Sequence, residues 1–245
     1  MDFFYATDTG KVRNHNEDSV IIVKNLSGEY LMAVADGMGG HNAGEIASEI
    51  AISNISRKWG KLESIGDKKQ AAAWLKQEAK EITNLILDRI ELDPRCEGMG
   101  TTLVAAIITR DYIIVGNVGD SRAYILKDED ILQVTTDHTL VNMLVQSGEI
   151  NSLGAHNHPQ KNVLMRALGA GLKSNMDIFE VSKEIDGLLL CSDGLTEMLT
   201  NREIYNILTA NLEIDDKVMY LIKTANKKGG TDNISVAYIE MGVGE

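Results

Sequence analysis

Four aspartates stand at the borders of apolar, strand-like runs. Asp36 follows YLMAVA and precedes GMGG, Asp120 follows YIIVGNVG, Asp193 follows GLLLCS, and Asp232 sits in GGTDN just before ISVAYIE. A carboxylate at the end of a buried strand is costly unless its charge is compensated. Taken singly, each reads as the start of an ordinary turn, because Asp-Gly is a common turn dipeptide. Four of them, each abutting an apolar run, point instead to a shared partner. Hard divalent cations fit that role, since Mg²⁺ and Mn²⁺ take oxygen ligands in octahedral geometry and keep several waters. Cys96 and Cys191 are far apart and form no CxxC pair, which excludes structural zinc, and no continuous EF-hand loop is present. The glycines beside the aspartates would let backbone approach an ion closely. Upstream, RNHNED (13–18) adds Arg13, a fixed cation able to fork onto a phosphate, and Glu17 and Asp18, which could extend such a site through waters. On those residues alone, a surface ion pair is an equally good reading.

The elements that must carry these residues follow from periodicity. Residues 18–24 and 30–36 read as strands joined by a turn around Ser27-Gly28. Apolar residues at helical spacing predict helices over 43–59 and about 68–91, the second ended by Pro94. TTLVAAIIT, YIIVGNVG, RAYILK and ILQVT then form a meander, followed by a short helix over 139–147. The Gly-, Asn- and His-rich stretch 148–174 has weak periodicity and reads as a long functional loop. Strands at 177–183, 187–192 and 233–240 and helices near 202–211 and 215–227 complete the pattern. Clustered hairpins and paired helices predict an α+β fold with a largely antiparallel sheet, in one domain spanning 1–245.

Composition narrows the partners. The chain has 245 residues, 44% hydrophobic and 24% charged, with 24 Lys plus Arg against 36 Asp plus Glu, a formal net charge of -12. Such an acidic protein repels polyphosphate backbones and anionic membranes, so nucleic-acid binding and membrane insertion are not expected. The apolar runs are too short to span a bilayer. The start, MDFFYATDTGK, lacks an apolar h-region, and with two scattered cysteines it predicts a cytoplasmic protein.

RNHNED, ADGMGG (35–40), MGTTL (99–103), NVGDSRAY (117–124), TDHT (136–139), LLLCSDGL (188–195) and GGTDNIS (229–235) occur in an order that resembles the type 2C metal-dependent serine/threonine protein phosphatases, the PPM family. The short length and the form DGMGG are similar to the bacterial branch. The resemblance implies a central antiparallel β-sandwich flanked by pairs of helices, in four αββα layers. It implies a binuclear Mn²⁺ or Mg²⁺ centre with two tightly bound ions and a third, weaker one. By motif, Asp36 bridges the two ions and the Gly37 carbonyl binds one. Asp193 and Asp232 hold the other, and Glu17 acts through bound water. Asp120 and Asp193 would hold the third ion, and Arg13 matches the phosphate-binding arginine. The implied reaction is hydrolysis of phosphoserine and phosphothreonine on proteins by a metal-activated water, with Arg13, Asp36 and Asp193 catalytic. The chain would then reverse the action of a cognate serine/threonine kinase, as a monomer, with a flap at about 144–170 beside the active site.

One position departs from the pattern: many eukaryotic members carry His after the DG, where this chain has Met38, which transfers no proton. A bound water at the third site, His41, or a reaction less dependent on leaving-group protonation are the open alternatives. Cys191 and Cys96 lack the Arg six positions on that tyrosine-phosphatase chemistry needs, since Glu197 and Thr102 stand there. Asp128-Glu129-Asp130 reads as a hairpin turn, and GMGG fails dinucleotide-loop spacing at Asn42. His156 and His158 read chiefly as solvated loop residues. Arg166, in LMRALG, is expected to touch substrate phosphate or to anchor the flap.

Overall fold

The computed structural model describes residues 1–242 apart from 41–42, 152–153 and 156–157; His41 and His156, raised above, lie outside the described residues. The strands are β1 (Asp2–Asp8), β2 (Asp18–Lys24), β3 (Tyr30–Met38), β4 (Gly100–Thr101), β5 (Leu103–Ile108), β6 (Ile113–Val118), β7 (Arg122–Lys127), β8 (Asp130–Gln133), β9 (Leu168–Gly169), β10 (Asp177–Val181), β11 (Gly187–Cys191) and β12 (Ile234–Glu240). The helices are α1 (Ala43–Trp59), α2 (Lys68–Leu92), α3 (Leu140–Gln146), α4 (Asp193–Thr196), α5 (Asn201–Leu208) and α6 (Ile214–Lys227). One sheet runs β1-β12-β11-β7-β8; the other runs β10-β6-β5-β3-β4-β9, with β2 also paired to β3. Every strand pair in both sheets is antiparallel.

The period-2 pattern of the strands sorts their side chains into three apolar layers. Along β3, Leu31, Ala33 and Ala35 face Ala47, Ala51, Ile55 and Trp59 of α1 and Leu75, Ile82 and Ile86 of α2. The alternate residues Met32 and Val34 join Val104, Ala106 and Val115 against Leu188, Leu190, Ala237 and Ile239 of the other sheet. On the far side, Tyr124, Leu189, Cys191 and Val236 bury Ile204 and Leu208 of α5 and Val218, Leu221 and Ile222 of α6. These layers make the architecture helix pair, sheet, sheet, helix pair, as the resemblance implies. Among the described residues, no helix is long and apolar enough to cross a membrane.

Local signals hold the helix ends where the periodicity puts them. Asp67 caps α2 in a reciprocal box with Gln70, and Thr200 caps α5 in the same way with Glu203. Pro94 follows the C-cap Asp93 and opens a 3₁₀ turn. Asp128 and Glu129 both take left-handed φ values, 51° and 62°, and form the two-residue hairpin turn between β7 and β8, which opens on Asp130.

Three features differ from the sequence expectation. Residues 2–8 form an edge strand paired along its whole length with β12, although Phe3 and Tyr5 remain over a third exposed. Contiguous aromatics gave no alternation to read there. Asp36 does not end its strand: β3 continues through Gly37 and Met38, which pair with Thr101 and Gly100. Asp193 lies beyond β11 and opens the short helix α4.

Candidate active site

Asp36 is set by its neighbours on both sides. β2 places Asp18 directly opposite it. On the other side its N–H donates to Thr102 Oγ1 at 3.0 Å, and its carbonyl accepts from Thr102 N at 2.9 Å and Thr101 Oγ1 at 2.9 Å. Gly37 then passes under the start of α1 so closely that a Cβ would lie 2.1 Å from the Gly44 carbonyl oxygen and 2.5 Å from that of Glu17. Only glycine fits. That approach brings the Gly44 N–H to the Glu17 carboxylate. Asn233 secures the loop before Glu17: its Oδ1 accepts from Glu17 N at 2.8 Å, and its amide donates to the carbonyls of Thr9 and His15, each at 2.9 Å. Ser192, next to Asp193, donates to Asp18 Oδ2 at 2.7 Å.

The tertiary structure draws Arg13, Glu17, Asp36, Gly37, Asp120, Asp193 and Asp232 around one cavity of about 340 Å³, with Met38 in its wall. Asn162, Leu164 and Leu172 from the loop after α3 close one side. Asp120 and Asp193 also face an adjoining cavity of about 330 Å³, lined in part by Asp137, Lys161 and Glu197.

Crowded carboxylates raise one another's proton affinity. Burial, then the charges of Asp18, Asp193, Asp120 and Asp232, holds Asp36 well above the usual carboxylate range. Burial with Asp120, Asp232 and Glu197 does the same to Asp193. Burial and Asp137 push Asp120 up to about 7, and burial pushes Asp18 up to about 6 against the pull of Ser192. Glu17 is raised chiefly by burial, although Arg13 opposes it.

The donor set suits hard divalent ions. It consists of carboxylates and a carbonyl, and Asp193 Oδ1 and Asp18 Oδ1 are buried without any hydrogen-bond partner. Among the described residues, no three His, Cys, Asp or Glu side chains converge into a ready chelate. The carboxylates are distributed around the cavity wall. That spacing fits ions which keep much of their water and take one or two carboxylates each.

Arg13 donates from Nη2 to Asp232 Oδ2 at 2.7 Å, with its side chain half exposed. Burial draws its proton affinity down, but Asp232, Glu17 and Asp36 outweigh that and hold it above its ordinary value. Arg166 is not brought to this cavity. It faces a separate one beside His138, and its Nη1 donates to Asp177 Oδ1 at 2.8 Å. Here its guanidinium is engaged by Asp177 at the base of the loop, away from the cavity that holds Arg13 and Asp36. His158 accepts from Gln160 N within that loop. Cys191 is fully buried in the sheet–helix layer, and burial pushes its thiol up to about 12, so it is no nucleophile. Sequence reasoning missed Asn233 and Thr102, whose amide and hydroxyl give no signal until the chain is folded.

The protein phosphatase 2C family model matches residues 10–233. The chain is 42% identical to the serine/threonine phosphatase Stp of Listeria welshimeri over 237 residues, 96% of this chain and 94% of that one. It superposes on the crystal structure of the serine/threonine phosphatase Stp1 of Staphylococcus aureus with a TM-score of 0.91 at 33% identity, covering 99% of this chain and 95% of that one. It also superposes on the catalytic domain of the serine/threonine protein phosphatase PstP in complex with two manganese ions, with a TM-score of 0.83 at 32% identity, covering 98% and 97% of the two chains.

Proposed function

The chain belongs to the protein phosphatase 2C family, and on that premise we propose that it hydrolyses phosphoserine and phosphothreonine on proteins at a binuclear Mn²⁺ or Mg²⁺ centre. The observation that carries this reading is the cavity itself: a ring of mutually repelling carboxylates with an unpartnered Asp193 Oδ1, and Arg13 at its rim. Asp36 and the Gly37 carbonyl would hold one ion, Asp36, Asp193 and Asp232 the second, and Glu17 would act through water. Asp120 and Asp193, which face both cavities, would hold a third and weaker ion. When bound, the ions supply Lewis acidity, making water nucleophilic near neutral pH and neutralising charge on the phosphoryl oxygens.

The residues of the chain do the rest. Arg13, held at the rim by Asp232, would donate to a phosphoryl oxygen and orient the group for in-line displacement. Leu164 and Leu172 keep one wall apolar, which strengthens electrostatic contacts inside. Met38 lines the cavity without a proton to give, so the leaving alkoxide is protonated from elsewhere. The same reading places the protein in the cytoplasm as a monomer, opposing a cognate serine/threonine kinase.

The test is hydrolysis of an aryl phosphate and a phosphothreonine peptide by the purified chain. Dialysis against EDTA is expected to abolish turnover and added Mn²⁺ to restore it; undiminished turnover in EDTA overturns the proposal. Arg13→Ala is expected to raise KM for the phosphopeptide by about tenfold, the worth of one charge-assisted contact, as steady-state kinetics would read. Its Mn²⁺ affinity should hold, because the Arg13–Asp232 pair is half exposed and contributes at most about 1 kcal/mol. Lost metal binding in that variant would make Arg13 a structural residue instead.

A further inference from the structure

The TDHT stretch (136–139) does not itself line the cavity that holds Arg13, Asp36 and Asp232, although Thr139 is bridged to Leu164 of its wall, and it carries a buried, multiply bonded histidine. The His138 side chain is 5% exposed. Its Nδ1 accepts from the Gly119 N–H at 3.1 Å, and its own N–H donates to the Gly119 carbonyl at 3.0 Å, so the two residues are bonded reciprocally. Acceptance at Nδ1 assigns the ring proton to Nε2, which donates to Asp177 Oδ2 at 2.9 Å; Arg166 Nη1, 3.2 Å from the same nitrogen, directs its own donor to Asp177 Oδ1 at 2.8 Å. Burial, helped by the nearby Arg166 charge, lowers the proton affinity of the ring against the opposing pull of Asp177 and favours this neutral form.

Gly119 needs the help. It sits at a φ of 111°, and a Cβ there would lie 2.5 Å from Thr102 Cγ2. The next residue is Asp120. Nearby, Asn117 Nδ2 donates to the Gly119 carbonyl at 3.1 Å, and Arg122 grips Asp137 through three contacts of 2.6 to 3.0 Å. The segment 136–139 therefore clamps the 119–122 turn on both sides of Asp120. On its other side the clamp is tied to the loop after α3: Met165 N donates to the His138 carbonyl at 2.8 Å, and Arg166 shares Asp177 with the His138 ring.

We propose that His138 is a positioning residue which, through Nδ1, holds the Gly119 turn so that Asp120 faces the weakly bound ion, and which joins that turn to the base of the flap. This rests on the reading of Asp120 as a ligand of the third ion. Ligand-orienting partners of this kind are worth about 10- to 100-fold in metal affinity.

Two near-isosteric variants separate the two ring contacts. His138→Asn keeps an acceptor where Nδ1 lies but loses the donor to Asp177; His138→Gln keeps a donor where Nε2 lies but loses the acceptor for Gly119. Mn²⁺ titration calorimetry of the full chain is expected to show the weakest step reduced by about tenfold in His138→Gln and kept within about twofold in His138→Asn, with the tighter steps unchanged in both. In the metal-free wild-type protein, imidazole ¹⁵N shifts should report a neutral ring protonated at Nε2. A ring protonated at Nδ1, equal effects of the two variants, or a general loss of all steps overturns the proposal. Asp120→Ala keeps the two readings apart. If it loses the weak step while His138→Gln does not, only the positioning role falls; if it keeps every step, the ligand assignment of Asp120 falls and the positioning role with it.

Discussion

Asp193→Asn is expected to stop phosphatase turnover while raising the melting temperature of the metal-free protein. The two effects have one cause. Asp193 Oδ1 is buried without a partner, and the carboxylate stands among Asp120, Asp232, Glu197 and Asp18, whose charges add to burial in disfavouring its ionised form. The fold gains nothing from that charge; on the proposed reading it serves a cation. Replacing it with an amide of the same shape removes like-charge repulsion and supplies donors to neighbouring carboxylates. A relief of about 1 kcal/mol raises the melting temperature of a chain this size by about 2–4 °C. If Asp193 holds ions as proposed, its loss removes several kcal/mol of transition-state stabilisation, so kcat should fall by about 10³-fold or more. Thermal melts in EDTA and aryl-phosphate turnover in Mn²⁺ read the two arms. Turnover near the wild-type level sinks the metal role of Asp193, and a lowered melting temperature sinks the view that its charge is a strain on the fold.

The second large effect is a pH dependence that metal should reverse. Asp120 and Asp18 are raised to about 7 and about 6, and Asp36 and Asp193 are raised as well. Unfolded aspartates titrate near 3.9. Between those limits the folded chain binds more protons than the unfolded chain, so stability falls as pH rises through the window and levels off above it. Taking metal-free protein from pH 7.5 to pH 6.0 should therefore stabilise it. Asp120 alone contributes about 1.4 kcal/mol, or about 4 °C in melting temperature. His138 opposes this, since its lowered proton affinity costs stability once the unfolded histidine charges, near 6.5. With saturating Mn²⁺ the order inverts, because protons compete with ions for the same carboxylates. A metal-free protein that melts lower at pH 6.0 than at pH 7.5 would mean that the carboxylates are satisfied within the fold.

Much of the candidate site is legible in the sequence because its residue types leave a local trace. An aspartate beside an apolar run is conspicuous in the one-dimensional pattern, and Asp36, Asp120, Asp193 and Asp232 each carry that mark. The α1 and α2 faces, the hairpins from Leu103 to Gln133 and the Pro94 stop were legible for the same reason, since helical and strand periods and turn chemistry act over a few residues. Other features had no local trace. β1 is a strand because β12 offers it a partner 230 residues away, and its own aromatics do not alternate. Arg13, in RNHNED, and Arg166, in LMRALG, both read from the sequence as cations able to meet a phosphate. The fold gives one to Asp177 and the other to the carboxylate cavity.

From the sequence alone came the inventory: candidate oxygen ligands in place of sulfur or nitrogen, a candidate cation for phosphate, elements that alternate toward two sheets and two helix pairs, and a net charge of -12. The tertiary structure decided which of these groups share a cavity and what each is bonded to. Asp36 sits inside β3 with Asp18 across from it, Gly37 can pass under α1 only because it has no Cβ, and His138 grips a turn 19 residues earlier. The reason is one of range. Propensity and periodicity are set by neighbours along the chain, whereas charge repulsion, burial and hydrogen-bond partnership depend on distance in space, and only folding sets those distances.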